Sequence, residues 1–462
     1  MHSLYSRYIC ALIVTGLTVL SACSTTQKTY SPPKIDLPTT TASKAQHIDR
    51  EWWKAFGDPL LNQLVADALI NNFDLAKAAA NVQEARANAG TAQSLLSPRL
   101  DGVGKANASK RRASFVSTDN DLSKTSSYLA GGLAVNWEID LWGRIRSLND
   151  AALAQLAASE HTQNANKLAV ASAVVDTYMQ LIGLDQQLAI TQDAVKNLKA
   201  ASNLEFRRWK AEAGTEMNYR QSLAELAATE ARVPSIKEAI AKTELALKVL
   251  VGFSPRQMGE ALPRGKSPQV PVVQKEIDFT LLMRRPDIAS AEQLLLATNA
   301  DINALRAEAY PRLTISLLAG IIAASSAAIS GAPVFFDTTA GLAAPIFDAG
   351  QVQSKVDGAE ARREKAVAHY RYTTSVAFRE TYEAMVQLET SDQQVAATEK
   401  EVALRQRTLA LMEKSYDAGR SSKYEVLSET IKVLNTQLTL ANARQLQLIA
   451  RSQYFKALGG GF

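Results

Sequence analysis

LAGGLAVNWEIDLWGRIR, residues 129–146, contains two kinds of periodicity within a single stretch. Leu129, Leu133, Val135 and Trp137 alternate with small or polar residues, the period of a strand with one apolar face. Ile139-Asp140-Leu141-Trp142-Gly143-Arg144 breaks that alternation. Beyond Leu148 about sixty residues rich in Ala, Leu, Gln, Glu and Lys favour helix. A strand of membrane-crossing type therefore passes through a short hinge, marked by Asp140 and Gly143, into a very long helix. A matching hinge occurs once more, at Pro345-Ile346-Phe347-Asp348-Ala349-Gly350-Gln351.

The chain around these hinges is written twice. Phe73-Asp74-Leu75-Ala76 lies over Pro286-Asp287-Ile288-Ala289, an offset of 213 (287 less 74), and Ser97-Pro98-Arg99-Leu100 lies over Tyr310-Pro311-Arg312-Leu313 at the same offset. Asp140 aligns with Asp348 and Gly214 with Gly419 at smaller offsets, so the first copy holds the longer insertions, mostly around 106–126. Self-similarity at a fixed spacing is the sign of a repeated architecture. Residues 51–252 form the first repeat, with strands near 100–113 and 127–138 and a long helical hairpin over 143–250. A linker rich in Pro, Gly, Arg and Lys covers 253–280. Residues 281–462 form the second repeat, with strands near 313–325 and 335–345 and a hairpin over 351–458. The strands are rich in Ala, Gly, Ser and Thr, and strand signals for membrane barrels are weak per segment. The alternatives are a soluble hairpin pair or, for 315–328, a buried helix.

The helices carry the clearest pattern. Val174, Leu181, Leu188 and Val195 are spaced by seven, as are Leu226, Val233, Ile240 and Leu247. Val395, Val402, Leu409 and Tyr416 repeat the spacing, and so do Leu427, Leu434, Ala441, Leu448 and Phe455. Sustained sevens predict helices packed side by side. A helix of about sixty residues is roughly 90 Å long, too long for one globular core, so its partners are other long helices. Pro234 lies inside one of them and should kink it. Each long helix turns at a glycine, Gly214 before Thr215 and Gly419 before Arg420, where the left-handed C-cap conformation is expected. These turns read either as capped turns in solvent or as a recognition and gating end.

Residues 1–22 read as a signal peptide: Arg7, then an apolar run from Ile9 to Leu20 too short to span a bilayer. Leu20-Ser21-Ala22-Cys23 resembles a bacterial lipoprotein box, which makes Cys23 the site of a diacylglycerol and 23–50 a lipidated tether. Cys10 would leave with the signal, so the mature chain has no internal disulfide to form. The residue after Cys23 is Ser24 rather than Asp, which by the same resemblance favours outer-membrane sorting.

Charge and motifs exclude several classes. The net charge of +5 from 51 basic and 46 acidic residues is too balanced for a nucleic-acid partner. The local cluster Lys105, Lys110, Arg111 and Arg112 reads as a solvated loop. Four His and seven Met are scattered without metal-ligand spacing. No nucleophile elbow, zinc-protease, redox or dinucleotide motif occurs. Gly259 to Ser267 imitates a phosphate loop, but five residues separate the glycines instead of four, and prolines 263, 268 and 271 preclude its flanks. The reading is no enzyme and no cofactor beyond the covalent lipid.

Trp52-Trp53, Phe56, Asp58-Pro59 and Leu61, then Trp137 to Arg144, then Leu281-Leu282-Met283-Arg284-Arg285-Pro286-Asp287-Ile288 resemble the outer-membrane efflux lipoproteins of the NodT type, relatives of the TolC and OprM channels. Pro345–Gly350 and the terminal Ala457-Leu458-Gly459-Gly460-Gly461 fit the same family. The resemblance covers nearly the whole chain from Cys23. It implies a mainly α protein with transmembrane β structure. Three chains would give four strands each to one twelve-stranded outer-membrane barrel, continued by a periplasmic α-helical barrel. It implies a duct for drugs or other small molecules, docked to a periplasmic adaptor and an inner-membrane pump of RND type; a protein-secretion duct of the same fold is the alternative. Gly214, Thr215, Gly419 and Arg420 match the family's adaptor-facing tip. Glu425 matches an acidic position at the closed constriction, while Ser428 stands where a second acid is common. Barrel physics agrees: four strands cannot close alone, and open edges are not tolerated in lipid.

Overall fold

The structure is a computed structural model that describes residues 30–35, 49–112, 123–265, 268–273, 279–324 and 326–461. The signal peptide, Cys23 and most of the tether lie outside the described residues. The chain divides into two compact units, one built on Gln83–Ala158 and Glu292–His369, the other on Ile35–Val82, Ser159–Ala291 and Tyr370–Phe462. In chain order the elements are α1 (Pro59–Asn71), α2 (Phe73–Ser94), β1 (Arg99–Arg112), β2 (Ser123–Ile139), α3 (Arg144–Lys210) and α4 (Glu216–Val251). The second half supplies α5 (Pro286–Ala307), β3 (Arg312–Ala323), β4 (Val334–Ala343), α6 (Gln351–Asp417) and α7 (Lys423–Ala457).

The first unit holds one antiparallel sheet in the order β1-β2-β3-β4. Its register sorts the side chains. Leu133 lies opposite Gly102 on one side and Ala319 on the other, and Ala319 opposite Phe336. Partners share a face and the period is two. One face therefore collects Leu100, Leu133, Val135, Trp137, Ile315, Leu317, Phe336 and Leu342. The other collects Asp101, Lys105, Asn136, Glu138, Thr314, Ser316, Asp337 and Thr339. The apolar face is uncovered: Leu100 is 62% exposed, Leu133 55% and Phe336 76%. Gly132 and Gly320 face each other where the ladder is tightest; a Cβ on Gly132 would lie 2.3 Å from the Ala319 carbonyl oxygen.

One alternative falls and one expectation changes here. Residues 315–328 are not a buried helix, since β3 runs to Ala323 and a short 3-10 turn covers Ser326–Gly331. The basic cluster is not a loop: Lys105 to Arg112 lie in β1, because the pairing of β1 with β2 continues to Arg112 opposite Ser123.

The second unit packs helix on helix. Trp52, Trp53, Phe56, Leu61 and Val65 sit against Val170, Val174, Tyr178 and Leu181 of α3, Leu247 and Val251 of α4, and Leu448 of α7. Trp52 stacks on Phe455 with centroids 5.4 Å apart. The most apolar stretch of α3, long enough by composition to cross a bilayer, is instead 61% buried. Along the hairpins the sevenfold stripe is joined by a second, polar one: Ser222, Thr229 and Thr243 in α4 are buried, as are Ser391 and Thr398 in α6. The hydroxyls of Ser222, Thr229, Ser391 and Thr398 turn back onto their own helices, Thr229 to the Glu225 carbonyl and Thr398 to that of Gln394. Small residues bring helices close without leaving a buried donor unpaired. Helix α4 runs unbroken through Pro234. The carbonyl deprived of its donor there belongs to Glu230, which is exposed, so water can replace the missing bond.

Candidate functional site

Three features carry the chemistry: the sheet, the strand-to-helix hinges and the hairpin ends. The sheet curves around its polar face, leaving a hollow of about 420 Å³ lined by Val103, Lys105, Asn136, Ser316, Phe335 and Asp337. Ser316 Oγ lies 2.9 Å from Asn136 Oδ1, and the Lys105 ammonium lies 6.0 Å from the Tyr128 ring centroid. A concave polar face behind a convex apolar one is the arrangement of a barrel wall with a wet interior.

The two hinges use one device. Asp140 accepts from the backbone N–H of Ile145 at 3.1 Å and of Arg146 at 2.9 Å. Asp348 accepts from Gly350 and Val352, each at 2.9 Å. Each carboxylate thus satisfies N–H groups that a helix start leaves unpaired. The Val352 and Gly350 donors hold the Asp348 carboxyl below its ordinary value. Gly143 and Gly350 make the bend at φ 76° and 83°, a region that favours glycine. The hinges differ in packing. Trp142 donates to the Pro311 carbonyl at 2.7 Å and stacks on Tyr310, and Arg144 forms a two-pronged pair with Glu138 at 2.8 and 3.0 Å. At the second hinge Ile346 is 100% exposed and Phe347 88%.

At the hairpin ends one expectation fails. Gly419 takes the left-handed conformation at φ 72°, but Gly214 does not; Glu212 does, at φ 58°. The Ala213 N–H reaches the Arg208 carbonyl, and the Arg420 N–H reaches that of Ser415. Both ends are therefore the same C-cap motif, and the first closes two residues before its glycine. Gly214 instead packs on Arg208, where a Cβ would lie 3.1 Å from the Arg208 Cβ. Thr215 caps α4 through the Asn218 N–H, and Arg420 is exposed. Glu425 closes a capping box on α7: Ser422 accepts from its N–H at 3.2 Å and its carboxylate accepts from the Ser422 N–H at 2.8 Å. The sequence reading missed the aromatic cluster around these turns. Trp209 stacks on Tyr219 at 5.6 Å, Lys210 lies 4.3 Å from the Trp209 ring, and Arg208 donates to the Tyr416 hydroxyl, tying one hairpin to the other. The available signal was the run Phe206-Arg-Arg-Trp209-Lys beside Tyr219.

The quoted motifs are structural. Asp58 caps α1 and accepts a 2.6 Å bond from the Tyr178 hydroxyl; burial and that carboxylate raise the Tyr178 pKa. Arg285 ties Asp287, Glu380 and the Ala457 carbonyl together. Gly460, at φ 55°, passes where a Cβ would strike Leu168. Among the described residues no group of three His, Cys, Asp or Glu is arranged to hold a metal ion.

One buried acid lies apart from these. Burial raises Asp176 of α3 to about 6, with Ser172 and Ser452 beside it and Gln453 donating to one oxygen. A carboxyl raised in the folded state costs nothing below its unfolded value, and its penalty grows until pH passes the folded value. Stability should therefore fall as pH rises from about 4 to 6. Asp176→Asn should show a higher Tm at pH 8 and a flatter profile across that window, measured by thermal melts; parallel profiles for the two proteins would contradict this.

A curved sheet apolar outside and polar inside, open at both edges and feeding capped helical hairpins, defines a protomer of a membrane channel. Residues 64–253 and 280–460 match the family model described as outer membrane efflux protein. The chain is 32% identical to the pyoverdine export outer membrane protein OpmQ of Pseudomonas putida, over 99% of this chain and 98% of that protein. It is 30% identical to the toluene efflux pump outer membrane protein TtgI of Pseudomonas putida, over 97% of each. Among solved structures it resembles the Campylobacter jejuni CmeC outer membrane channel with TM-score 0.84 and 25% identity, covering 93% of this chain and 95% of that one. The channel OprN gives TM-score 0.84 and 26% identity, covering 93% and 99%.

The chain belongs to the outer membrane efflux protein family and has the TolC-like fold. It is the outer-membrane channel component of an efflux system. Channels of this family form trimers and work with an adaptor and an inner-membrane pump, and its members are channels rather than enzymes.

Proposed function

We propose that three copies of this chain close one twelve-stranded barrel and form a passive exit duct for small molecules, anchored by an acyl group on Cys23 and served by an RND-type pump. The observation that carries this is that, among the described residues, the edges β1 and β4 are unpaired on a sheet whose apolar face is uncovered. Open edges are not tolerated in lipid, so a neighbour must pair them. The uncovered Ile346 and Phe347 support the same reading: the first hinge packs against the segment before β3, and by the repeat the second would pack against the segment before β1 of the next copy.

The repeat also supplies a register. Leu133 pairs with Ala319 inside the chain; transposing β2 by 207, the offset between the helix starts Arg144 and Gln351, and β3 by 213, the offset between the strand starts Arg99 and Arg312, sets Ala340 of one protomer opposite Ala106 of the next, both on the apolar face. The double variant Ala106→Cys and Ala340→Cys should give, on oxidation, a ladder of covalent dimers and trimers on denaturing gels. Each single variant should give none of the trimer, and a double variant that stays monomeric would refute the ring.

The relatives' names, for pyoverdine and toluene export, favour small-molecule cargo over protein. Lipidation is supported by reach. Tyr30 rests beside Arg363 of α6, twelve residues or about 18 Å along that helix from its start. The seven residues from Cys23 span up to about 24 Å, enough to return to the hinge level. Gly214, Thr215, Gly419 and Arg420 are assigned to adaptor contact, and Glu425 to the constriction. Glutamine also serves in a capping box, so Glu425→Gln keeps the helix start and removes only the charge. Three like charges around one axis attract cations. Divalent-cation block of single-channel conductance should weaken in Glu425→Gln, and unchanged block would remove Glu425 from the constriction.

A further inference from the structure

The two helical hairpins keep one register but not one cover. Helices α3 and α6 both have 67 residues and start 207 apart (351 less 144). The left-handed glycines Gly252 and Gly459, just past α4 and α7, keep that offset. On α6 and α7, Tyr382, Met385, Val386, Leu388, Glu389 and Tyr454 line an open hollow of about 220 Å³. Less 207, these positions are Val175, Tyr178, Met179, Leu181, Ile182 and Leu247, and every one is buried in the core that includes Trp52, Trp53, Phe56 and α1. Over the second hairpin, among the described residues, the cover shrinks to Phe279 and Leu282 of the turn Phe279–Arg284, with Val273 beside them. Val175 and Met179 are fully buried, whereas their counterparts Tyr382 and Val386 are 47% and 61% exposed.

A second surface is bare in the same way. Inside the chain α7 lies against α3: Ser452 Oγ is 3.5 Å from Ser172 Oγ, Gln453 donates to Asp176, and Leu448 joins the core that holds Met179. Ser452 is fully buried there, yet its counterpart on α4, Leu245, is 45% exposed, and Val249 one turn on is 57% exposed. The repeat calls for an α6 beside this face of α4, as α3 stands beside α7. Within one chain, Leu245 and Val386 both stay exposed. Large apolar side chains bare on both halves of one missing contact mark an interaction surface.

We propose that α6 of each protomer docks on α4 of the next, with Tyr382 and Val386 against Leu245 and Val249, so that a second copy of this chain closes the hollow. This rests on the channel reading above, in which three copies form a ring, and adds a helical seam to the one between β4 and β1. Both seams run from the second repeat of one copy to the first repeat of the next, the head-to-tail contact that closes rings. The rim fits an apolar centre. Arg379 and Glu383 already pair with each other at 2.8 Å, as Lys242 and Glu238 do at 2.6 Å, so no unpaired charge enters the contact.

The internal seam supplies the geometry of the test. Transposed by 207, Ser172 and Ser452 become Arg379 of one protomer and Leu245 of the next, and side-chain atoms 3.5 Å apart are within disulfide reach. Full-length chain carrying Arg379→Cys with Leu245→Cys, oxidised in outer membranes, should give covalent trimers on denaturing gels. Each single variant should give none, and Ser172→Cys with Ser452→Cys should close inside one chain. Val386→Cys should resist a maleimide in intact trimers and react once heat dissociates them. Dimers that never extend to trimers, a cross-link confined to single chains, or free labelling of Val386→Cys in intact trimers would overturn the proposal. A protected Val386→Cys with the helical pair unlinked would give the hollow another occupant, residues 274–278 of the same chain or the adaptor, and would overturn it as well. The strand pair Ala106→Cys with Ala340→Cys separates the two readings. If that pair closes the ring while the helical pair stays unlinked, this seam alone fails; if neither links and no heat-modifiable trimer is found, the channel reading fails with it.

Discussion

Leu133→Arg should abolish outer-membrane assembly. Leu133 sits midway along β2 on the apolar face, between Gly102 and Ala319, and is 55% exposed in the single chain. A cation at the middle of the lipid face of a barrel costs about 2–4 kcal/mol. Three copies multiply that to roughly 10 kcal/mol per assembly, of the order of a whole domain's stability. Heat-modifiable trimers should vanish from the membrane fraction, and cells carrying the variant should be as sensitive to exported compounds as cells lacking the protein. Ala134→Arg is the control. It lies one residue along, on the concave face beside the hollow that Asn136 and Ser316 line. It should assemble normally and change only conductance. Equal tolerance of both variants, or equal failure, would refute the assignment of the two faces.

Arg285→Ala should be the most damaging single change outside the membrane. The side chain is 7% exposed and its guanidinium holds four bonds: two to Asp287 at 3.1 and 2.8 Å, one to Glu380 at 2.7 Å and one to the Ala457 carbonyl at 2.8 Å. Removing one partner of a buried ion pair strands the rest. The two carboxylates are about one-third exposed, so water recovers part of the loss, and the expected cost is about 3 kcal/mol, the low end for a broken buried pair. Arg285→Lys supplies one point charge in place of a planar fork and should recover less than half. Thermal melts and limited proteolysis between α5 and α7 would read both. A Tm within a degree of the native protein for Arg285→Ala would show that the cluster contributes nothing to stability.

Much of this architecture was legible in the chain itself. The offset shared by Pro98 and Pro311 revealed the duplication, and the alternation from Leu129 to Trp137 named the apolar face before any pairing was known. The sevens at Leu427, Leu434, Ala441 and Leu448 marked positions that are all buried. Asp140 and Asp348 were visible as hinge residues because each stands between a strand period and a helical one. The basic cluster was misread because its charge resembles that of a solvated loop, while the backbone pairing of β1 with β2 continues through it to Arg112.

What the sequence by itself determined is whatever rests on periodicity, because period is a property of neighbouring residues along one chain. Faces, seams, hinges and the repeat are of that kind. Only the tertiary structure decided which groups meet. Glu212 rather than Gly214 takes the left-handed turn, Arg208 reaches Tyr416 in the other hairpin, Asp58 meets Tyr178, and Arg285 binds both Glu380 and the last turn of α7. Apart from Glu212, these partners stand 95 to 208 residues apart in the chain. No local spacing encodes such a meeting; it exists only once the helices are packed and a buried charge must find whatever acceptor the packing brings within reach.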